Sequence, residues 1–286
     1  MDLDVLSWNC RGICRDSTVR ALKDVISQTR PQIVFLCETK INNSKAFEDL
    51  RLSLGFAHGK GVLSAGLSGG LGMFWNGDVK VIIGSSSLHH IDAEIDGDPG
   101  NPRWRLTGFY GWPRTEDRDR SLQLLRDLSD LNPLPWVVVG DLNEILNSGE
   151  KKDGGPLRPE RQMRGFRESL GYGDLLDLGY HGPCATWWNS ETQLRLDRAV
   201  CTPTSCDIFG HARLQHRFRS CSHPVKSQYY SSPTTIVLPS IQNVFLPPTE
   251  FSEREVESLV HAHVAAQVTT RQESRLGWPS LRFSDA

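Results

Sequence analysis

The sequence lacks the features of membrane-spanning and secreted proteins. No stretch approaches the roughly 20 apolar residues that a transmembrane helix needs, so we expect no insertion into a bilayer. Residues 1–9 carry two acids and no basic segment before an apolar run, which argues against a secretory signal. The seven cysteines form an odd set without a Cys-x2-Cys pair, which favours reduced thiols over a zinc or disulfide framework. We therefore expect an intracellular protein of the nucleus or cytoplasm.

A strong net charge is also missing. The chain has 32 Lys and Arg against 34 Asp and Glu, a formal charge of −2. This balance excludes binding of polyanions through bulk positive charge but allows a local basic face. Residues 151–167 contain six basic and two acidic side chains, and residues 211–219 contain three arginines, two histidines and no acid. Each run predicts either a surface that follows phosphates or an ordinary solvated face.

Short apolar runs alternate with helical patterns through the first two thirds of the 286 residues. This order predicts sheets covered by helices on their outer faces. The predicted strands are Leu3–Trp8, Ile33–Cys37, Leu71–Trp75, Val79–Ile83, His90–Ile95, Trp104–Tyr110 and Trp136–Val139. Residues 226–286 are rich in Ser, Thr and Pro, and they predict a weakly ordered or peripheral tail with one helix from Ser252. The folded domain is therefore predicted over residues 1–225.

Polar residues directly follow the strand Trp136–Val139, in the segment Gly140-Asp141-Leu142-Asn143. The carboxyl end of a buried strand is where α/β sheets place their functional sites. Asp141 and Asn143 are two positions apart, so they project to the same side of an extended segment. An Asp there can accept a proton from water, and an Asn amide can donate to an oxyanion. The alternative is an ordinary Asx turn.

Two further strands end in polar residues. Asn9 ends the first predicted strand, and Glu38 ends the second. An amide and a carboxylate brought together by neighbouring strands would suit a hard divalent cation such as Mg²⁺ or Mn²⁺, which takes oxygen ligands. Each residue taken singly is more often a solvated strand end. The recurrence of polar strand ends in one context favours a common site.

Tyr110 and Asp197 are less specific candidates. Tyr110 closes another strand, where its hydroxyl could donate to a phosphate oxygen or simply lie at the rim in water. Asp197 follows alternating apolar and charged residues, so it could point inward from a half-buried strand. An inward Asp needs a partner, and His223 is a candidate, because such a pair would orient the imidazole. The alternative is an Arg–Asp ion pair at the surface.

Five segments in this order resemble the endonuclease/exonuclease/phosphatase family. They are Trp8–Gly12 (WNCRG), Cys37–Lys40 (CETK), Gly108–Gly111 (GFYG), Gly140–Asn143 (GDLN) and Arg195–Arg198 (RLDR). The resemblance covers about residues 3–224. Residues 69–75 and 186–187 are also similar to a narrower group, the apurinic-endonuclease-like domain of plant LINE-type (non-LTR) retrotransposon proteins.

The resemblance implies a fold and a reaction. The fold is a four-layer α/β sandwich, in which two mixed sheets lie face to face with helices outside. The reaction is metal-dependent hydrolysis of phosphodiesters, usually in nucleic acid, so DNA is the expected partner. By position in the motifs, Glu38 would be the ligand of Mg²⁺ or Mn²⁺, with Asn9 beside it.

The same resemblance assigns roles to the remaining candidates. Asp141 would orient or deprotonate the attacking water. Asn143 and Tyr110 would hold the phosphoryl oxygens as charge builds in the transition state. Asp197 would pair with His223, which would face the phosphate.

Two departures from the family pattern predict reduced activity. The family's Ser-Asp-His-x-Pro motif is replaced by Cys-Ser-His-Pro at Cys221–Pro224, so either Ser222 takes the place of the Asp or the Asp is lost. Serine carries no charge, which removes a negative neighbour of the metal. The family's next buried strand has no apolar counterpart at Val225–Gln228, and Thr235–Leu238 would be a poor, displaced substitute.

The sequence thus predicts a retroelement-derived DNA endonuclease with reduced or no activity. Two alternatives remain: an inactive remnant that at most binds nucleic acid, and a phosphatase of small phosphoesters.

Overall fold

The structure, a computed structural model, describes residues 3–66, 69–96, 102–210, 212–217 and 229–238. All of these belong to the first of two compact units, Met1–Asn243, which extends beyond the predicted domain boundary at residue 225. The predicted helix from Ser252 lies outside the described residues. Among the described helices, none has the length and apolar character needed to cross a membrane.

The described residues form sixteen strands and five α-helices. The strands are β1 (Leu3–Asn9), β2 (Ile33–Cys37), β3 (His58–Val62), β4 (Leu71–Trp75), β5 (Val81–Ser87), β6 (His90–Ile95), β7 (Trp104–Tyr110), β8 (Trp136–Asp141), β9 (Lys151–Lys152), β10 (Leu176–Asp177), β11 (Trp187–Asn189), β12 (Gln193–Leu194), β13 (Asp197–Cys201), β14 (Arg213–His216), β15 (Tyr229–Ser231) and β16 (Thr234–Leu238). The helices are α1 (Asp16–Thr29), α2 (Ser44–Leu54), α3 (Arg118–Ser129), α4 (Glu160–Tyr172) and α5 (Pro203–Phe209).

Two six-stranded mixed sheets form the framework. The first has the order β14-β16-β1-β2-β4-β3, and the second has the order β10-β13-β8-β7-β6-β5. The pairs β1–β2 and β7–β8 are parallel, whereas the other pairs in these sheets are antiparallel. A smaller sheet has the order β15-β11-β12-β9.

Three apolar cores define the layers. The main core joins side chains of both six-stranded sheets, such as Phe35 of β2 and Leu106 of β7. A second core lies between the first sheet and the helices α1 and α2, and a third lies between the second sheet and the helices α3 and α4. The order of layers is therefore helix, sheet, sheet, helix, which confirms the predicted four-layer α/β sandwich.

Glycine allows the two sheets to approach closely. A Cβ atom added to Gly108 of β7 would lie 2.2 Å from the Phe35 ring of β2. The ring therefore occupies the space that any larger residue at position 108 would need, because protein interiors are close-packed.

The last strand of the first sheet corrects one prediction. Thr234–Leu238 is not a poor, displaced substitute: it pairs antiparallel with β1 from Leu3↔Leu238 to Ser7↔Thr234, and its other edge pairs with β14. Ile236 and Leu238 are buried in the core between the sheets. The β-branched side chains of this segment favour a strand, so the expected loss of the last strand is wrong.

Candidate active site

The candidate residues lie where strands of both sheets end. Parallel pairing of β1 and β2 sets Asn9 beside the last residue of β2, immediately before Glu38. In the second sheet, parallel β7 and β8 pair Tyr110 with Asp141, and antiparallel β13 pairs Asp197 with Asp141. The first sheet therefore supplies Asn9 and Glu38, and the second supplies the other three.

Side-chain hydrogen bonds connect the two sheets at this point. Asn9 Nδ2 donates to Glu38 Oε1 at 2.7 Å and to Asp141 Oδ2 at 2.9 Å. The Tyr110 hydroxyl donates to Glu38 Oε1 at 3.1 Å. Asn9 and Asp141 are buried, and Glu38 is half-buried. The structure thus brings together four residues that the sequence separates by up to 132 positions.

Tyr110 is a buried donor and not a rim aromatic with a hydroxyl in water. Burial is the largest cause that raises the pKa of Tyr110, and the negative charge of Glu38 raises it further. The hydroxyl therefore keeps its proton at neutral pH and can donate it in a hydrogen bond.

An Asx turn fixes Asp141 and Asn143. The backbone N–H of Asn143 donates to Asp141 Oδ1 at 3.0 Å, and Asn143 Nδ2 donates to the Gly111 carbonyl at 2.8 Å. Gly140 enters the turn with φ +148, where an added Cβ would lie 2.0 Å from the Phe109 carbonyl oxygen. The two sequence interpretations are compatible, because the turn itself orients the Asp141 carboxylate. The second N–H of the Asn143 amide can donate to another acceptor.

Unfavourable backbone conformations concentrate at these strand ends. Glu38 and Asn143 have φ values of 54° and 55°, and their neighbours Arg11 and Lys40 have 51° and 58°. Such left-handed conformations in residues other than glycine cost on the order of 1–3 kcal/mol each and often occur at functional sites. The surrounding strand pairing holds these residues in place.

Asp197 is buried, and its environment differs from the predicted surface ion pair. Its backbone N–H donates to Thr186 Oγ1 at 2.9 Å, and no described residue donates a hydrogen bond to its Oδ1. The flanking arginines bind elsewhere: Arg195 Nη2 donates to Asp177 at 2.8 Å, and Arg198 Nη1 donates to Asp177 at 2.5 Å. The surface-pair interpretation of Asp197 is therefore wrong.

The predicted partner of Asp197 lies outside the described residues. His223 and Ser222 both belong to the segment 218–228 that the structure does not describe. The pairing of Asp197 with His223 and the role of Ser222 thus stay predictions.

Burial, followed by repulsion between carboxylates, determines the electrostatics of the site. Burial raises the pKa of Asp141, and the negative charge of Glu38 raises it further, whereas the hydrogen bond from Asn9 lowers it. Burial also raises the pKa of Asp197, and the charge of Asp141 adds to it. The guanidinium of Arg11 acts in the opposite direction on both groups. A bound cation would relieve this repulsion, because a nearby positive charge favours the ionised carboxylates.

The donor set fits a magnesium-like ion. Within the described ranges, no three His, Cys, Asp or Glu side chains form a compact metal-binding cluster. Mg²⁺ does not need one, since it binds through one or two carboxylates and keeps waters or phosphate oxygens as its other ligands. Glu38 and Asp141, held by one shared amide, supply that number.

Sequence reasoning missed a support of the Asn143 turn. Arg158 Nη1 donates to the Asn143 carbonyl at 2.9 Å and to Glu144 Oε2 at 2.5 Å. Glu144 is fully buried, and Arg118 lies 3.7 Å from its other oxygen. The spacing of these residues along the chain carries no signal for this network.

The basic runs contribute fewer exposed charges than their composition predicts. In the run 151–167, Arg158, Arg164 and Arg167 form ion pairs with acids. In the second run, His216 is buried and stacks on Tyr180. On α4, the exposed ion pairs of Arg164 and Arg167 favour the solvated-face interpretation, whereas the buried His216 fits neither interpretation.

Comparisons with known proteins agree with this geometry. The model of the Endonuclease/Exonuclease/phosphatase family matches residues 6–222. None of the curated proteins matches the sequence significantly.

Solved structures with the same fold include three proteins connected with nucleic acids. The endonuclease domain of TRAS1, a telomere-specific non-LTR retrotransposon, is 15% identical, with a TM-score of 0.60 over 84% of this chain and 99% of that chain. An AP endonuclease from Archaeoglobus fulgidus is 18% identical, with a TM-score of 0.63 over 82% and 99%. The 3′ phosphatase NExo from Neisseria, bound to a product DNA hairpin, is 15% identical, with a TM-score of 0.58 over 83% and 99%. At these identities the likeness concerns the fold.

Proposed function

The chain belongs to the endonuclease/exonuclease/phosphatase family, and we propose that it is a divalent-metal-dependent phosphodiester hydrolase that cuts DNA. The observation that carries this proposal is the Asn9 amide, which holds Glu38 and Asp141 together across the two sheets. The names of the structural neighbours support DNA as the substrate, since they include an endonuclease domain, an AP endonuclease and a phosphatase bound to DNA.

Mg²⁺ or Mn²⁺ would be held by Glu38, with Asn9 beside it and Asp141 adjacent. When bound, the ion supplies positive charge that stabilises the phosphoryl oxygens in the transition state. Asn9 has a positioning role in this proposal, because it fixes both carboxylates through one amide.

Asp141 would accept the proton of the attacking water. The Asx turn and the Asn9 amide hold its two oxygens in place, which reduces the reorganisation needed during the reaction.

Donors to the phosphoryl oxygens would come from the same strand ends. The second N–H of the Asn143 amide and the Tyr110 hydroxyl would stabilise the charge that builds on these oxygens. Tyr110 would exchange its hydrogen bond to Glu38 for one to the phosphate when substrate binds. Asp197 would orient His223 toward the same phosphate.

The test is nicking of supercoiled DNA by the purified protein. We expect nicking with Mg²⁺ and none with EDTA. Asp141→Ala should lower the rate about 10²- to 10⁴-fold, as expected for loss of a general base. Asp49→Ala is the matched control, because Asp49 lies at the surface, where it pairs with Lys45. Nicking that survives EDTA, or that is equal in Asp141→Ala and wild type, would refute the proposal.

The same preparation separates the alternatives. A phosphatase of small phosphoesters would release phosphate from inositol phosphates and leave DNA intact. An inactive remnant would bind DNA without cleavage at any Mg²⁺ concentration.

We further propose that the chain derives from a plant LINE-type retroelement and is located in the nucleus or cytoplasm. We also propose that Ser222 lowers the rate of DNA hydrolysis, because serine supplies no negative charge beside the metal. Residues 69–75 and the TRAS1 neighbour support the origin. Ser222→Asp would restore the negative neighbour of the metal, so we expect it to raise the nicking rate at limiting Mg²⁺. An unchanged or lower rate would contradict the proposed role of Ser222.

A further inference from the structure

A cavity of about 220 Å³ opens beside Tyr110. Its walls include the side chains of Leu88, His89, Tyr110, Trp112, Arg114 and Asp117. Pockets for whole drug-sized ligands are roughly 300–1,000 Å³, so this cavity suits one ring system. It lies between the β5–β6 hairpin tip and the segment that follows β7.

Aromatic rings form a stacked wall of the cavity. The His89 ring lies 3.3 Å from the Trp112 ring at an interplanar angle of 10°, and 5.8 Å from the Tyr110 ring at 3°. His89 Nδ1 donates to the Tyr110 carbonyl at 2.8 Å, because a carbonyl oxygen can only accept. The Trp112 backbone N–H donates to Ser121 Oγ at 2.7 Å. These hydrogen bonds hold the rings in place before any ligand binds.

The cavity adjoins the candidate active site at Tyr110. Tyr110 belongs to both, since its hydroxyl contacts Glu38 while the residue also lines the cavity. The next residue, Gly111, donates its N–H to the Asp141 carbonyl at 2.8 Å and accepts a hydrogen bond from Asn143 Nδ2. The segment from Tyr110 to Trp112 is therefore tied to the turn that would hold the scissile phosphate.

The other lining residues agree with a nucleotide as ligand. Leu88 is exposed and adds an apolar edge, and Arg114 is exposed and adds a positive charge that suits a flanking phosphate. Asp117 adds an acceptor for the amino groups that bases carry.

We propose that this cavity binds one nucleobase of the substrate strand, in contact with the Trp112 ring, next to the scissile phosphodiester. This inference rests on the proposed function, and it specifies whether the DNA substrate is paired or unpaired at the cleavage site. A base within a duplex is not free to enter such a cavity, and enzymes that need one act on single strands or extrude the base. The cavity therefore selects single-stranded or locally unpaired DNA.

The test measures binding separately from cleavage. A fluorescein-labelled single-stranded oligonucleotide is titrated in EDTA and followed by anisotropy, and the series is repeated with one abasic nucleotide at each position in turn. For wild type we expect one position at which removal of the base weakens binding about 5- to 150-fold, the range of base–aromatic stacking. Trp112→Ala should remove this position dependence, and Trp112→Phe should retain it.

Two further variants make the result specific. Tyr172→Ala removes an aromatic ring that is 57% exposed on α4 and does not line the cavity, so it should bind as wild type does. If Trp112→Ala fails to fold, as judged by circular dichroism, Leu88→Ala is used instead, and it should lower the effect at the same position.

Each outcome decides between the proposals. The cavity proposal would be overturned if wild type bound all oligonucleotides equally or bound an abasic strand more tightly. It would also be overturned if the position dependence survived Trp112→Ala, or Leu88→Ala where that variant is needed. If such a protein still cleaves DNA with Mg²⁺, the hydrolase proposal stands alone. If base-dependent binding is lost in the cavity variant but no DNA is cleaved, the cavity proposal stands and the hydrolase proposal fails.

Discussion

Replacing Asp197 by Asn should stabilise the metal-free protein although it lowers hydrolysis. Asp197 is only 1% exposed, and strand pairing sets it directly opposite Asp141. No described residue donates to its Oδ1. The substitution removes a buried charge while keeping the shape of the side chain.

The magnitude follows from the strand register. Directly opposed residues have Cβ atoms about 4.5–5.5 Å apart, and two like charges about 5 Å apart repel by about 3 kcal/mol at an effective dielectric constant of 20. Arg11 offsets part of this repulsion. We therefore expect Asp197→Asn to raise the free energy of unfolding by about 1–3 kcal/mol at pH 7.

The pH dependence has a defined sign. Burial and the charge of Asp141 raise the pKa of Asp197, so the folded protein binds this proton more tightly than the unfolded chain. The penalty is fully present above the raised pKa, shrinks as the pH falls below it, and is lost at the ordinary aspartate pKa of the unfolded chain. The stability difference between Asp197→Asn and wild type should therefore shrink in acid.

Urea unfolding in EDTA and in Mg²⁺, at neutral and acidic pH, measures both effects. Mg²⁺ should reduce the difference in the free energy of unfolding between Asp197→Asn and wild type, because it binds the folded wild type. Asp177→Asn is the matched control of opposite sign: burial raises the pKa of Asp177, but Arg195 and Arg198 lower it below its usual value. This control should lose about 3 kcal/mol, as expected for a broken buried pair. An Asp197→Asn protein less stable than wild type in EDTA would refute the reasoning.

Three further predictions concern the framework. Gly108→Ala should lower the free energy of unfolding by about 1–3 kcal/mol in urea, because its methyl group would overlap the Phe35 ring; an unchanged value would contradict the close approach of the sheets. Asp92→Ala should lower the free energy of unfolding by about 3–5 kcal/mol in the same assay, since the buried Arg105 loses its carboxylate partner. A smaller loss than that of Gly108→Ala would contradict this prediction. Burial lowers the pKa of His216 to about 4. As the pH falls, the unfolded chain therefore binds this proton first, and the free energy of unfolding should decrease from about pH 6.5 toward 4. His216→Gln should flatten this decrease, and an unchanged pH dependence would contradict the prediction.

The sequence predicts the strands that are buried on both faces. Ile33–Cys37, His90–Ile95 and Trp104–Tyr110 have the predicted bounds, because a short apolar run, or the polar–apolar alternation of His90–Ile95, carries its own signal. The strand predicted at Val79–Ile83 instead spans Val81–Ser87. Its serines form a strand only through pairing with β6, and such pairing is not written in the local pattern.

The same reason explains β16. Thr234–Leu238 pairs with β1, which lies more than two hundred positions earlier in the chain. Its place in the sheet depends on that distant edge. The family resemblance predicted this strand at Val225–Gln228, directly after the last motif, because no motif marks Thr234–Leu238.

The site was predictable in its members but not in its contacts. Asn9 and Glu38 could be predicted to lie together, since the parallel strands β1 and β2 end at a common edge of one sheet. Asp141 ends a strand of the other sheet, and only the facing of the two sheets brings it to them. The double donation by Asn9 and the bond from Tyr110 to Glu38 depend on how the two sheets face each other. The cavity and the Arg158 contact depend on loop positions, which no periodicity in the sequence encodes.

The most direct test of the account is the position of a bound divalent ion. Crystals soaked in Mn²⁺ and measured at its absorption edge would show where the ion lies by anomalous scattering. The account predicts one strong peak within coordination distance of the Glu38 carboxylate and close to Asp141, and its loss in Glu38→Ala. A peak at another place in the fold, or no peak at saturating Mn²⁺, would contradict it.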